Sequence, residues 1–267
     1  MARYNPRDKF YRKARAEGLP SRAAFKIEEL IARFKLVRPG ARVADLGCAP
    51  GGWLAILTRA VGPNGRVVGI DLDQCAAPGP NVVTIAGDIR DALTRAQVAS
   101  LLADAPDRAT KSAHPVAAAP LGAAALRTDR FAAPSARFAA VAPPAQVPAP
   151  SAAVSAPRVE DAALYGAVAD LITSDLSPKL TGIADRDQAR SAELLTIALE
   201  FAADVLKPGG AMIAKLFMGG GFEDLKRKFD RAFDKVEIAH TRASRPGSSE
   251  LYLVARGFRP GAAAAQG

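Results

Sequence analysis

"VADLGCAPGGWLAIL", Val43 to Leu57, is the stretch whose reading decides the fold. A β-prone run stops at Asp45, a Gly-x-x-x-Gly-Gly turn spans Gly47 to Gly52, and an apolar helical segment follows. Glycines open backbone angles closed to other residues and let the main chain come close to a bound molecule. The helix start behind them presents N–H groups that lack intrahelical partners. A strand, a glycine turn and a helix in this order form either a bare connection or the floor of a ligand site.

The flanking sequence repeats the same alternation. "SRAAFKIEELIARFK" is an amphipathic helix, with Ser21 as N-cap and Phe25, Ile27, Leu30, Ile31 and Phe34 near helical spacing. "GRVVGIDLD" and "NVVTIAGD" read as a second and a third strand, each running into acids. "IRDALTRAQVASLLAD" is helical, "VADLITSDLSP" is a fourth strand, and "DQARSAELLTIALEFAADVLKPGG" is a long helix closed by Pro208 and Gly209. "GAMIAKLF" is a fifth strand and "GFEDLKRKFDRAF" a helix, before two strands, "KVEIAHTR" and "SELYLVARGF". Strands alternating with helices predict a doubly wound α/β domain, a mainly parallel seven-stranded sheet covered on both faces. The last two strands have no helix between them, so one of the seven runs antiparallel.

Residues 105–157 break this pattern. The stretch holds 20 Ala and 9 Pro among 53 residues, too much proline for a stable helix and too few large apolar side chains for a core. It reads as a disordered insertion. The remainder divides into a basic arm over 1–20, one domain formed by 21–104 and 158–259, and a disordered tail over 260–267.

Charge narrows the partner class. The chain of 267 residues carries 36 Lys and Arg against 27 acids, a net +9. Residues 1–38 alone hold eleven basic and four acidic side chains, which points to a polyanion, nucleic acid before a membrane surface. No segment has transmembrane length, and no N-terminal run resembles a signal peptide. Two cysteines, Cys48 and Cys75, make neither a metal site by themselves nor a disulfide framework, so no metal and a reduced, cytoplasmic setting are expected.

Ligands of doubly wound sheets sit beyond the carboxyl ends of the strands, at the switch point of strand order. Three acids occupy such ends, Asp45, Asp71 and Asp88. An acid after strand two is placed for the hydroxyls of a ribose, and one after strand three for an adenine amino group, so an adenosine-containing cofactor is expected. The glycine spacing matches neither Gly-x-Gly-x-x-Gly nor a phosphate-binding Gly-x-x-x-x-Gly-Lys-Ser/Thr. It resembles motif one of the S-adenosylmethionine-dependent methyltransferases, whose cofactor has no phosphates to cradle.

A more specific resemblance rests on "SRAAFKIEEL", "DLGCAPGGW", "SDLSPKLTG", "AKLFMGGGF" and "SRPGSSELYLVARGF", in this order. Together they resemble the FtsJ/RrmJ (RlmE) family of ribosomal RNA 2′-O-methyltransferases over nearly the whole chain except the Ala/Pro insertion. The resemblance implies a Rossmann-like S-adenosylmethionine-dependent methyltransferase fold and a catalytic tetrad of Lys26, Asp175, Lys215 and Glu250, with Lys215 as proton acceptor. It also implies S-adenosylmethionine contacts at Gly51, Trp53, Asp71, Asp88 and Asp175. The implied substrate is a uridine of large-subunit (23S) ribosomal RNA, met within the large ribosomal subunit, with the protein acting as a monomer.

The chemistry gives such a tetrad a purpose. A ribose 2′-hydroxyl is a weak nucleophile whose proton must leave as attack proceeds. A free lysine, with a pKa of about 10.4, is a poor base at neutral pH, and burial beside a second cation would depress it. Asp175 and Glu250 would orient the lysines and limit their repulsion. Arg245 and Arg190 are further candidates for contact with phosphate or cofactor, and Arg12, Lys13 and Arg15 for the RNA grip. Other readings of the residues are a transfer RNA 2′-O-methyltransferase, a non-catalytic RNA-binding assembly factor and, more distantly, a nicotinamide dehydrogenase that the glycine spacing disfavours.

Overall fold

The computed structural model describes residues 8–104, 167–178, 181–217, 222–244 and 250–261. The Ala/Pro-rich stretch and Arg245 lie outside the described residues. Seven strands form one sheet in the order β3-β2-β1-β4-β5-β7-β6. They are β1 (Arg42–Leu46), β2 (Arg66–Asp71), β3 (Val82–Ala86), β4 (Ala169–Ser174), β5 (Leu206–Phe217), β6 (Phe233–Ala239) and β7 (Glu250–Phe258). β7 slots between β5 and β6 and runs antiparallel to both, while the pairings among β1 to β5 are parallel. This is the doubly wound, mainly parallel arrangement that the alternating sequence predicts, and the Rossmann-like fold that the resemblance implies.

Period-two alternation sends successive strand residues to opposite faces. Val43, Val67, Leu171, Ile213 and Val254 pack on one face with helices α1 (Lys9–Ala16), α2 (Ala24–Phe34) and α3 (Gly52–Val61). Ala44, Val68, Ile172, Met212 and Leu253 pack on the other with α4 (Ala92–Ala103), α5 (Ala184–Val205) and α6 (Phe222–Ala232). All ten of these strand residues are fully buried, as expected of a sheet covered on both sides.

Three local features differ from the sequence reading. The described part of the basic arm is a docked helix: Asp8 caps α1 by accepting the Tyr11 N–H, Ala14 and Leu19 are buried, and Phe10 lies against Phe25 of α2. Ser21 is not the N-cap of α2. That position falls at Ala23, whose N–H donates to the Ser21 hydroxyl at 2.9 Å. Finally, β5 starts at Leu206, not Gly210. Leu206 pairs with Ala169 and Ala211 with Leu171, so Lys207-Pro-Gly-Gly210 bulges out of register, with Gly209 at φ +75°.

Candidate active site

Side chains at the carboxyl ends of the parallel strands gather on the face covered by α1 to α3. The strand order reverses between β1 and β4, and the glycine turn leaves β1 there while Asp175 follows β4. Main chain stitches the two ends together. The Asp175 N–H donates to the Leu46 carbonyl at 3.0 Å, and Gly47 N–H donates to that of Ile70 at 2.8 Å.

Gly47 and Gly51 have φ +75° and +98°, angles that penalise any side chain. At Gly47 the close approach comes from the protein itself, because a Cβ would sit 3.1 Å from the Leu176 nitrogen. Gly51 is the N-cap of α3. The first intrahelical bond there runs from the Ala55 N–H to the Gly51 carbonyl, which leaves the N–H groups of Gly52, Trp53 and Leu54 for other partners.

The four residues of the expected tetrad come together. Lys26, in the first turn of α2, places its Nζ 2.6 and 2.8 Å from the two carboxylate oxygens of Glu250, the first residue of β7. Lys215 on β5 places its Nζ 3.1 Å from Asp175 Oδ1. Neighbouring strands hold these two ion pairs in one cluster, with every side chain between 13 and 28% exposed. Burial works to raise the Glu250 pKa, but hydrogen bonds from Lys26 and Tyr252 and the charge of both lysines win, leaving it lowered. Asp175 goes the other way. Burial raises its pKa, and the opposing pull of Lys215 and Lys26 does not cancel that push.

Tyr252 is a member that sequence reasoning missed. It lies two residues after Glu250 on β7, fully buried, and its hydroxyl donates to Glu250 Oε1. Burial and the negative charge of Glu250 and Asp175 push the phenol pKa well up, so this group stays a donor. The i, i+2 spacing to Glu250 was the available signal.

The residues expected to meet a cofactor are distributed along β1 to β4. Asp71, half-buried at the end of β2, accepts the Ala49 N–H on Oδ2 and the Asp73 N–H on Oδ1, each at 3.0 Å. It thereby ties the glycine turn to β2, and each oxygen keeps a second lone pair. The next residue, Leu72, is 73% exposed, an apolar side chain next to an acid at the rim. Asp88, past the end of β3, is gripped by Arg90 through the guanidinium and through its N–H at 2.9 Å. Hydrogen bonds from Arg90 lower the Asp88 pKa, so it remains a charged acceptor. Trp53 is 3% exposed, donates its side-chain Nε1–H to the Ala23 carbonyl at 3.1 Å and packs against Tyr252. Its main-chain N–H in the first turn of α3 is what it can offer a ligand. Asp45, also at a strand end, is wholly buried and bonded to the Thr173 hydroxyl at 2.7 Å, beneath the site instead of facing it. From β3 to β4 the strand ends span about 14 Å, three inter-strand spacings.

The basic candidates are less concentrated. Arg12, Lys13 and Arg15 are exposed on α1, with Lys13 over the Phe25 ring at 4.3 Å and paired to Glu17 at 3.6 Å. Arg190 is exposed on α5. On α6, Lys226 pairs with Asp230 at 2.6 Å, and Arg227 pairs with Asp224.

The seven-stranded sheet and the match to a methyltransferase family make the chain a methyltransferase of the Rossmann-like class. The FtsJ-like methyltransferase family model matches residues 19–258, so the chain belongs to that family. It is 35% identical over 263 residues to a protein of Anaeromyxobacter sp. (strain Fw109-5) named ribosomal RNA large subunit methyltransferase E, covering 98% of this chain and 72% of that one. A protein of the same name from Xanthomonas oryzae pv. oryzae is 34% identical, with 94% and 90% coverage. The fold is also that of a crystal structure from Plasmodium falciparum described as a ribosomal RNA methyltransferase. The TM-score is 0.55 at 21% identity, and the match covers 89% of this chain and 97% of that one.

Proposed function

We propose that the protein methylates a ribose 2′-hydroxyl of a uridine in large-subunit (23S) ribosomal RNA, within the large subunit, using S-adenosylmethionine and working as a cytoplasmic monomer. The observation that carries this reading is the Lys26–Glu250 and Lys215–Asp175 arrangement at the switch point, in a family whose relatives are named for ribosomal RNA methylation. Among the described residues no helix is long and apolar enough to cross a membrane.

The residues along β1 to β4 suit an adenosine bearing a cationic amino-acid end. Asp71 suits the ribose hydroxyls, Asp88 the adenine amino group, and the main chain at Gly51 and Trp53 with Asp175 the remainder. When bound, S-adenosylmethionine supplies a methyl group made electrophilic by its sulfonium.

The chain's own task is to hold the acceptor oxygen in line and dispose of its proton. Lys215 accepts that proton once it is neutral. Asp175 stays beside it to receive the resulting ammonium, 3.1 Å from the lysine nitrogen. Lys26, fixed at both its Glu250 contacts, serves as the cation that orients the acceptor, and Tyr252 fixes Glu250 in turn.

Ribose-methylation mapping by mass spectrometry, in cellular RNA with and without this protein, tests the substrate. Loss of one large-subunit site is expected, and loss of a transfer RNA site instead would overturn it. In vitro, Lys215→Ala and Lys215→Arg should both be inactive while still binding S-adenosylmethionine, because a guanidinium does not give up its proton. Near-normal turnover by Lys215→Arg would end the proton-acceptor role. Asp88→Ala should weaken cofactor binding by about 1.5–3 kcal/mol, as expected when a charged hydrogen-bond partner is lost.

A further inference from the structure

The end of the sheet opposite the tetrad carries a second concentration of charge. There the α2–β1 connection, the Lys-Pro-Gly-Gly bulge of β5 and the far end of β7 enclose a hollow of about 470 Å3. Its lining includes Lys35, Arg38, Lys207, Arg256, Asp170 and the ring of Phe34. The four cations arrive from four places: the C-cap of α2, the α2–β1 connection, the bulge and β7. Asp170 is the acid of this lining, and it is already shared. It lies 3.6 Å from Arg38 and 3.5 Å from Lys207, and it accepts the Arg42 N–H at 2.9 Å.

Arg256 adds a second sign of an incomplete environment. One arm of its guanidinium meets Glu237, and the group lies 5.7 Å from the Phe34 ring centre. Its Nε is shielded from solvent and has no hydrogen-bond partner among the described residues. Lys35 takes a left-handed backbone at φ 52°, uncommon for a non-glycine residue. Packing of an α/β core does not call for cations brought together around a concavity, where they repel one another. Four cations against one acid leave the hollow with an excess of positive charge, and a concave surface with such an excess focuses the field on an incoming counter-charge.

We propose that this hollow is a second RNA-binding site, one that holds a backbone phosphate of the same RNA whose ribose is presented to the tetrad. The inference rests on the reading of the chain as an RNA methyltransferase. α2 joins the two places. Lys26 stands in its first turn and Lys35 at its C-cap, nine residues apart, or about 13 Å along a helix. Along β7, Glu250 and Arg256 are about 20 Å apart. RNA lying beside α2 therefore reaches the hollow a few nucleotides from the acceptor, and the phosphate there sets its register without reading a base.

The test compares wild type with Lys35→Ala/Arg38→Ala/Lys207→Ala and with the single variant Lys35→Glu, which leaves the Asp170 pairs intact should the triple variant fold poorly. Binding of a large-subunit ribosomal RNA fragment is measured across salt, alongside methyl-transfer kinetics and S-adenosylmethionine affinity. The salt slope of the triple variant should flatten by about one unit, as expected for one lost phosphate contact, with KM for RNA raised roughly tenfold or more. The kcat should stay within about twofold and cofactor affinity should not move, a split that general destabilisation would not produce. Lys35→Glu should shift KM in the same direction. If wild type methylates the RNA and both variants match its slope and KM, the second site is overturned while the proposed function stands. If wild type neither binds nor methylates RNA, the proposed function falls and takes this site with it. Inorganic phosphate titrated as a free anion separates the sources: its capture by wild type and loss in the variants, with RNA slopes unchanged, would make the hollow a small-anion pocket and overturn the RNA assignment.

Discussion

Asp45 shows how one residue beside the glycine turn can be buried beneath a site, its charge suppressed by its surroundings. Its side chain is wholly buried, with one oxygen bonded to Thr173 and the other without a partner among the described residues. Burial first, then the charge of Asp175 and Asp71, outweighs the Thr173 hydrogen bond and pushes its pKa up to about 8. An unfolded chain releases this proton near the ordinary value of 3.8, whereas the folded chain keeps it until about 8. The folded state binds more protons across that window, so this group's contribution to stability declines as pH rises through it. Asn has the same shape and never ionises. Thermal melts of parent and Asp45→Asn should therefore lie close together near pH 4, with the variant ahead at about pH 8, since both forms are neutral only at the acid end. Identical melts at both ends would mean that the carboxyl is ionised in the folded protein. From sequence, Asp45 is indistinguishable from Asp71 and Asp88, because all three stand toward the end of β-prone runs. What separates them is which side of the turn each faces, a tertiary fact.

At the scale of elements, β7 and the start of α3 support the tetrad together. Trp53 holds the first turn of α2 through the Ala23 carbonyl and packs on Tyr252, which in turn holds Glu250 against Lys26. Tyr252→Phe deletes that hydroxyl alone. It should lower kcat by an amount equivalent to about 0.5–1.5 kcal/mol, the usual net worth of one hydrogen bond, with S-adenosylmethionine affinity unchanged. Equal kcat for the two proteins would show that Lys26 fixes Glu250 unaided. The strand–helix order was legible because burial on both faces writes continuous apolar runs. The tetrad was legible only through resemblance, since Lys26 and Glu250 are 224 residues apart and no spacing links them. The boundary of β5 was hidden for a physical reason: Lys207-Pro-Gly-Gly210 looks like a helix stop, yet Leu206 already pairs with Ala169 before the bulge. Gly47 tests the turn at the same scale. Gly47→Ala places a methyl 3.1 Å from the Leu176 backbone at φ +75°, and it should destabilise the protein by more than about 1 kcal/mol, read as a lowered urea midpoint with unchanged m-value.

For the whole molecule, the open question is what residues 105–157 contribute to a domain whose sheet closes on either side of them. The described elements on either side of that stretch pack and pair with one another. Leu102 near the end of α4 is buried, Val168 N–H donates to the Val205 carbonyl at 2.9 Å, and β4 pairs with both β1 and β5. Closing a loop costs free energy only as the logarithm of its length, about 0.6 kcal/mol per doubling. Replacing the 53 residues with a Gly/Ser linker of about a dozen therefore changes the closure term by about 1 kcal/mol, in the stabilising direction. For a domain of this size that corresponds to a melting temperature within about 2–4 °C of the parent. The shortened protein should also keep its methyl-transfer rate at saturating RNA, because the four tetrad residues lie on α2, β5 and β7 and just after β4, all among the described residues. Failure to fold would show that the stretch packs on the sheet. A folded protein with normal kcat but a KM for RNA raised several-fold would assign the stretch to the RNA grip, alongside the exposed arginines of α1.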